Sequence, residues 1–249
     1  MYTVEAKLST PSDESFDPAS VIGLSEQQAI RLGRRIFDNI RKAMAYIFAI
    51  HVPIAGMSLI PVLSNLPLVL MPIHIVFMEM IIDPACSVVF EAEPEEINVM
   101  NRPPRNPNEP LFGTKTIALS LLQGAVVCLI VLVVYVATLH SGSGELEARA
   151  MTFTTLIFAN LGLILTNRSW THTIPATLGA PNGALWKILI GAVVFLGLVL
   201  YVPFLQNLFN FATLHLNDLT IALAAALASI TWFEVFKMIH RASRVAQTG

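Results

Sequence analysis

Apolar residues fall into six long runs, at about 43–63, 66–90, 117–138, 151–167, 184–205 and 219–239. Each approaches the roughly 20 residues that a helix needs to cross the hydrocarbon core of a bilayer. The pattern therefore predicts an all-α membrane protein with six transmembrane helices. Only Ser64 and Asn65 separate the first two runs, which must form an antiparallel hairpin. Residues 1–18 are polar and aperiodic and predict a disordered tail. Over 19–42, Ile30, Ile36, Phe37 and Ile40 recur at roughly helical spacing, which predicts a helical stalk leading into the first span. The 91–116 interval carries five prolines and many charges, so it is expected neither to be one helix nor to cross the membrane. Residues 140–150 predict a flexible polar turn, 168–182 a further polar loop, 207–218 a short turn and 240–249 a tail.

Composition agrees with this layout. The 249 residues are 55% hydrophobic and 13% charged, against about 25% charged in a soluble domain. The partner implied is the lipid bilayer. The net charge of −2, without a basic patch, predicts no nucleic acid. Cys86 and Cys128 both lie in apolar runs and offer no disulfide framework. The first apolar run begins only near residue 43, so no N-terminal signal peptide is expected. Of the 15 Lys and Arg residues, Arg149 alone falls on the side opposite the termini, leaving 15 − 1 = 14 on the terminal side. That asymmetry predicts that both termini are cytoplasmic, in a bacterial inner or plasma membrane. It also makes Arg34, Arg35, Arg41 and Lys42 a positive-inside anchor. Glu234 and Lys237, near the end of the sixth run, are expected to snorkel to the interface. Ala222, Ala224, Ala226 and Ala228 in that run suit close helix approach.

Candidate chemistry is concentrated in the second run, LPLVLMPIHIVFMEMIIDPACSVVF, where Glu79 and Asp83 lie near mid-membrane. Each costs roughly 2.5–3.5 kcal/mol at such a depth on insertion scales, so each needs a partner or a use. Their i, i+4 spacing puts both on one helical face. Pro84 removes the N–H that would bond the Met80 carbonyl and disfavours helical angles at Asp83, which predicts a local break. Two carboxylates beside a freed carbonyl make an oxygen-lined cation site. The competing reading is one paired, silent Asp and a Glu that is neutral or snorkelling. His51, near the centre of the first span, is either a hydrogen-bonded packing residue or a member of the same path. Pro53 frees the Ala49 carbonyl there and is expected to kink the helix. Thr152, Thr154, Thr155 and Asn160 in the fourth run are equally open to interhelical hydrogen bonding and to ion coordination.

The segments GRRIFDNIRKAM (33–44), EMIIDPACSVVFEAEPEE (79–96), MNRPPRNPNEPLF (100–112), ARAMTFTTLIFANL (148–161) and TNRSW (166–170) resemble the C-terminal membrane half of type II P-type cation ATPases, the calcium-pump and sodium-pump relatives. The resemblance runs from about residue 19 to the C-terminus. It implies that the six spans are the family's helices five to ten, the fifth a stalk that transmits motion and the sixth a carrier of cation ligands. On that reading Asp83 matches the acidic ligand of the sixth helix. Glu79 stands where calcium pumps have Asn and sodium-pump relatives Asp. Ile82 replaces a Thr ligand, and His51 and Ile54 occupy positions of Asn and Glu ligands. The fourth span carries no acidic residue, so the ion remains open between calcium, a monovalent cation and a proton.

The resemblance also implies what to expect of activity. The DKTGT, TGES and TGDGxND motifs of the family do not occur in this sequence. The chain is therefore expected to bind no cofactor itself, ATP and Mg²⁺ belonging to catalytic domains elsewhere, and to hydrolyse no ATP alone. Its expected partners are a separate catalytic half of the pump and an inorganic cation. The metal-site candidates are Glu79, Asp83, Met80 through its carbonyl, and His51. The alternatives are a stand-alone cation channel or carrier using Glu79 and Asp83, and a non-catalytic membrane partner or truncated pump fragment.

Overall fold

A computed structural model describes residues 25–96, 98–103, 113–170 and 172–246. The expected tail at 1–18, the start of the stalk and part of the proline-rich loop lie outside these residues. The described chain is helical, with no strand among the described residues. Helix α1 is Glu26–Leu63, α2 is Pro72–Pro84, α3 is Thr114–His140 and α4 is Glu145–Asn167. The short α5 is Ile174–Thr177, α6 is Gly183–Tyr201, α7 is Pro203–Phe209 and α8 is Leu216–Ala246. Six helices are long and apolar enough to cross a membrane: α1, α2 with its continuation to Val89, α3, α4, α6 and α8. The protein is a multi-pass integral membrane protein, and α1 enters the bundle from the side at which α8 leaves it. We call this the terminal side and the opposite one the far side.

Stalk and first span are one helix. Ser25 accepts from the Gln28 backbone N–H while the Gln28 side chain accepts from the Ser25 N–H, closing a capping box. From there α1 runs 38 residues, through Pro53 and Pro61. At 1.5 Å per residue this is about 57 Å, far more than the bilayer core, so its first turns project from the terminal side. The stalk's apolar stripe is not buried: Ile30, Ile36 and Ile40 are exposed.

Helix α2 starts later than the apolar run does. Residues 66–71 are extended, and Pro72 opens the helix at a position where its missing N–H costs nothing. The expected break at Asp83–Pro84 does not occur. Helical structure continues through Pro84 and widens into a π-helical turn over Ala85–Val89. The cause is local. Pro84 cannot donate, the Ala85 N–H is taken by the carbonyls of Ile81 and Ile82, and the register slips until Phe90 N–H reaches the Ala85 carbonyl at 3.1 Å.

The polar turn before the fourth span is also shorter than its composition suggests. Gly144, at φ 87°, precedes α4, which begins at Glu145. The far-side turn between α6 and α8 contains α7. Helix α4 is the centre of the bundle, buried along nearly its whole length, with α1, α3, α6 and α8 around it. The closest crossing is α1 on α3, where Gly56 faces Cys128 and Gly124 faces Ala49 and Val52.

On the far side, His74 is fully buried, stacked on Phe211 and packed against Phe153 and Phe209. Its Nδ1 accepts from the Met71 N–H, so Nε2 must carry the proton that it donates to the Phe209 carbonyl at 2.9 Å. Arg149 donates to the carbonyls of Leu68 and Asn210. Together they tie the extended 66–71 segment to the α7–α8 connection.

Candidate cation site

Helices α1 and α2 carry the candidates. His51 sits two residues before Pro53 and projects to the outer face of the bundle, its side chain 50% exposed. Its Nδ1 lies 2.8 Å from the Ile47 carbonyl, which can only accept, so Nδ1 carries a proton. Nε2 then faces Oε1 of Glu79 at 3.9 Å, too far for a direct hydrogen bond. Glu79 is half-buried, and Asp83, one turn further along α2, is exposed on the outside of the bundle.

Met80 presents a freed carbonyl, as the sequence predicts, although the helix is not broken. Its i+4 residue is Pro84, and the i+5 N–H, that of Ala85, is engaged by Ile81 and Ile82. The structure thus brings His51 and Glu79 together and places Asp83 and the Met80 carbonyl within a turn. It does not close them into a cage: among the described residues no three His, Cys, Asp or Glu side chains converge as a metal cluster does. Ile54, on α1, is buried apolar packing.

The terminal side holds a polar network that composition does not announce. Glu93 and Arg168, both almost fully buried, pair at 2.5 Å. Asn182 donates to Glu93 at 2.6 Å and to the Val89 carbonyl, the last of the π turn, at 3.0 Å, while its oxygen caps α6 through the Leu185 N–H. The stalk holds the same loop: Arg34 donates to the carbonyls of Val99 and Arg102, and Arg35 and Asn39 donate to that of Glu93. Lys42 pairs with Glu96 at 3.0 Å and Asp38 with Arg102 at 2.7 Å. Outside the membrane, hydrogen bonds from Arg31 hold the Glu95 carboxyl below the usual carboxylate range.

Glu234 and Lys237 do not snorkel. They turn inward, where Glu234 accepts from Thr166 and from the Ile174 N–H, and Lys237 reaches the Thr166 carbonyl. Deep in the bundle, Tyr46 donates to Asn160 at 2.5 Å and Thr155 to the Met151 carbonyl at 2.8 Å. The first bond joins α1 to α4, and the second stays within α4.

The six spans, the second widened at a proline, define a multi-pass helical membrane bundle. Residues 67–239 match the family described as "Cation transporting ATPase, C-terminus", and the chain belongs to that family. It is the transmembrane transport-domain portion of a P-type ATPase. The calcium-transporting ATPase of Bacillus subtilis is 30% identical over 199 residues, which are 77% of this chain and 22% of the relative. Calcium-transporting ATPase 1 of Schizosaccharomyces pombe is 26% identical over 92% of this chain and 25% of its own length. Human calcium-transporting ATPase type 2C member 1 is 26% identical over 88% of this chain and 24% of its own length. The chain thus spans between a fifth and a quarter of the length of these relatives.

Proposed function

We propose that this chain lines the cation path of an ATP-driven pump, and that nucleotide binding and phosphorylation belong to a catalytic portion outside these 249 residues. The carrying observation is the opposition of His51 and Glu79. With Nδ1 committed to the Ile47 carbonyl, a neutral His51 turns the Nε2 lone pair toward a carboxylate oxygen 3.9 Å away. Two acceptors at that separation repel one another unless a cation, a proton or a donor lies between them. Asp83 and the unpartnered Met80 carbonyl extend the acceptor set on the same helix.

This acceptor set lies on the outer face of the bundle, within membrane-spanning helices, where bare charge against lipid is costly. A passive carrier or channel built from the chain alone would open its path to lipid. Further helices packed on α1 and α2 would seal it. A cleft of about 570 Å³ between the stalk part of α1 and the π turn, lined by Leu32, Ile36, Ile40 and Phe90 with Arg35 and Glu91 at its polar side, gives such a partner a largely apolar seat. The relatives are named as calcium-transporting ATPases. Calcium takes six to eight oxygens, so for that ion the partner would supply the remainder. ATP and Mg²⁺ act in the catalytic portion. The basic residues around Arg34 and Arg168 support placing the terminal side in the cytoplasm of a bacterial inner or plasma membrane.

Proteoliposomes test this reading. The chain alone is expected to release no phosphate from ATP and to pass no calcium, sodium or potassium above empty vesicles. Joined to the catalytic portion of its pump, it is expected to give ATP-dependent uptake that Glu79→Gln with Asp83→Asn abolishes. Cation flux through the chain alone, without ATP, would overturn the proposal in favour of a channel or carrier.

A further inference from the structure

Four terminal-side cations are matched to carboxylates, and Arg34 and Arg35 are engaged by backbone carbonyls. Lys42 pairs with Glu96, Arg102 with Asp38, Arg168 with Glu93 and Arg31 with Glu95. Arg41 has no carboxylate among the described residues. Its Nη2 donates to the Thr116 hydroxyl over a long 3.3 Å, and its Nε is shielded from solvent without an acceptor. Two aromatic rings hold the guanidinium, each with its centroid 5.8 Å from the central carbon: Phe37 on α1 and Trp170 just past α4.

Beside it lies an open cavity of about 190 Å³, lined by Asp38, Arg41, Lys42, Glu96, Asn98, Arg102 and Trp170. Three cations and two carboxylates leave the lining one positive charge in excess, 3 − 2 = 1, and the excess falls on Arg41 because the two carboxylates are already taken.

Position fixes the kind of anion. Arg41 stands just before the apolar run of α1, Thr116 in the first turn of α3, and Trp170 three residues beyond the end of α4. All three stand at terminal-side ends of the apolar runs, where helices of this hydropathy would leave a bilayer and where tryptophan prefers to sit. A planar guanidinium set against two rings at the end of the apolar runs, without a carboxylate among the described residues, matches a phosphate oxygen pair. Part of its hydration is already lost at Nε, so an anion on the remaining edge offsets a desolvation that the fold has imposed.

We propose that Arg41, braced by Phe37 and Trp170, is a binding site for the phosphate of an anionic phospholipid headgroup in the terminal-side leaflet. The site is independent of the proposed cation path: it uses none of the path's residues and does not require that the chain move an ion. It orders one lipid at the junction of the stalk, α3 and the loop after α4.

The test is thermal unfolding of the full chain in detergent, titrated with phosphatidylglycerol, phosphatidylcholine or inorganic phosphate. A ligand that binds only the folded form raises the unfolding temperature. Phosphatidylglycerol is expected to give a saturable rise, phosphatidylcholine and inorganic phosphate little. Arg41→Gln is expected to weaken the apparent affinity for phosphatidylglycerol about tenfold, as loss of one charge-assisted pair does. Lys187→Gln, a change at an exposed cation outside the cavity, is expected to leave it unchanged. Should Arg41→Gln not fold, Arg41→Lys keeps the charge and loses the planar fork, and a several-fold weakening is expected. An Arg41 variant that retains the full lipid response overturns the proposal, as does a phosphatidylcholine or inorganic phosphate response equal to that of phosphatidylglycerol.

Discussion

Gly124 of α3 faces the backbone carbonyl of Ala49 on α1, the same carbonyl that Pro53 deprives of its helical N–H. A β-carbon at 124 would fall on that oxygen and on the Val52 side chain. The proline leaves a carbonyl with no partner along its own helix, and the glycine lets α3 close over it. Gly124→Ala must push the two most closely packed helices apart, and overpacking of this kind costs about 1–3 kcal/mol. Gly191→Ala meets nothing within 4 Å and serves as the control. Thermal unfolding in detergent should show a clear loss for the first and little change for the second. Equal behaviour of the two would mean that α1 and α3 are not in this contact.

The Glu93–Arg168 pair predicts a different signature. Both side chains are almost wholly buried, so removing one charge leaves the other without compensation, at a cost of about 3–5 kcal/mol. Glu93→Gln and Arg168→Met should each destabilise strongly. The double variant should recover much of the loss, because no buried charge then remains. A double-mutant cycle measures this directly, and simple additivity of the two losses would show that the pair is not coupled.

Glu95 gives the pH-dependent case. Its carboxyl lies below the usual range, chiefly through the Arg31 hydrogen bonds, with the charge of Arg31 adding to the effect. A carboxyl whose pKa is lower folded than unfolded stabilises the fold at pH above its ordinary value, about 4.3. That contribution is lost as pH falls through the lowered folded value. The partner Arg31 side chain is 59% exposed, so the effect is small and screened by salt. Unfolding curves of the unmutated chain and Glu95→Gln, followed from about pH 6 to about pH 3, should converge on acidification. At high ionic strength they should nearly coincide throughout. A gap that widens toward low pH would contradict the sign.

The six spans were legible because hydrophobic run length is a direct physical requirement of the bilayer. The freed Met80 carbonyl was legible for an equally direct reason, the missing proline N–H. What Pro84 does next was not. The π turn that the chain slips into ends at a Val89 carbonyl held by Asn182, 93 residues away, a contact that no local pattern announces. Likewise the basic cluster read as a membrane anchor, yet Arg34, Arg35 and Lys42 bind the loop around Glu93, Glu96 and Val99. The acid-rich EAEPEE was the available signal for that pairing. Glu234 and Lys237, near a helix end, gave no sign that they would turn inward, since their partners Thr166 and Ile174 come from other elements. For the site, spacing alone put Glu79 and Asp83 on one face, but only the packing of α1 on its neighbours could set His51 opposite Glu79.

The last prediction concerns that site in the isolated chain. Glu79 and Asp83 are carboxylates on membrane-spanning helices, which insertion penalises. If they were only packing groups, Glu79→Gln with Asp83→Asn should be mild or even stabilising, because shape is kept and the insertion cost falls. If they hold a cation, the unmutated chain should gain apparent stability as that ion is added, by mass action on the folded form. The double variant should lose this gain while keeping its ion-free unfolding temperature. The measurement is thermal unfolding across calcium, magnesium, sodium and potassium, each titrated separately. His51→Gln separates two roles for the imidazole. A ligand nitrogen lost should reduce the ion response of the chain without abolishing it, whereas a packing residue lost should lower the ion-free temperature and leave the response intact. An unmutated chain that shows no shift with any ion, at any concentration, would place the acceptors of α1 and α2 outside any working site in the isolated bundle. That result would leave the proposed path standing only if the further helices complete the site, which the uptake assay with the catalytic portion then decides.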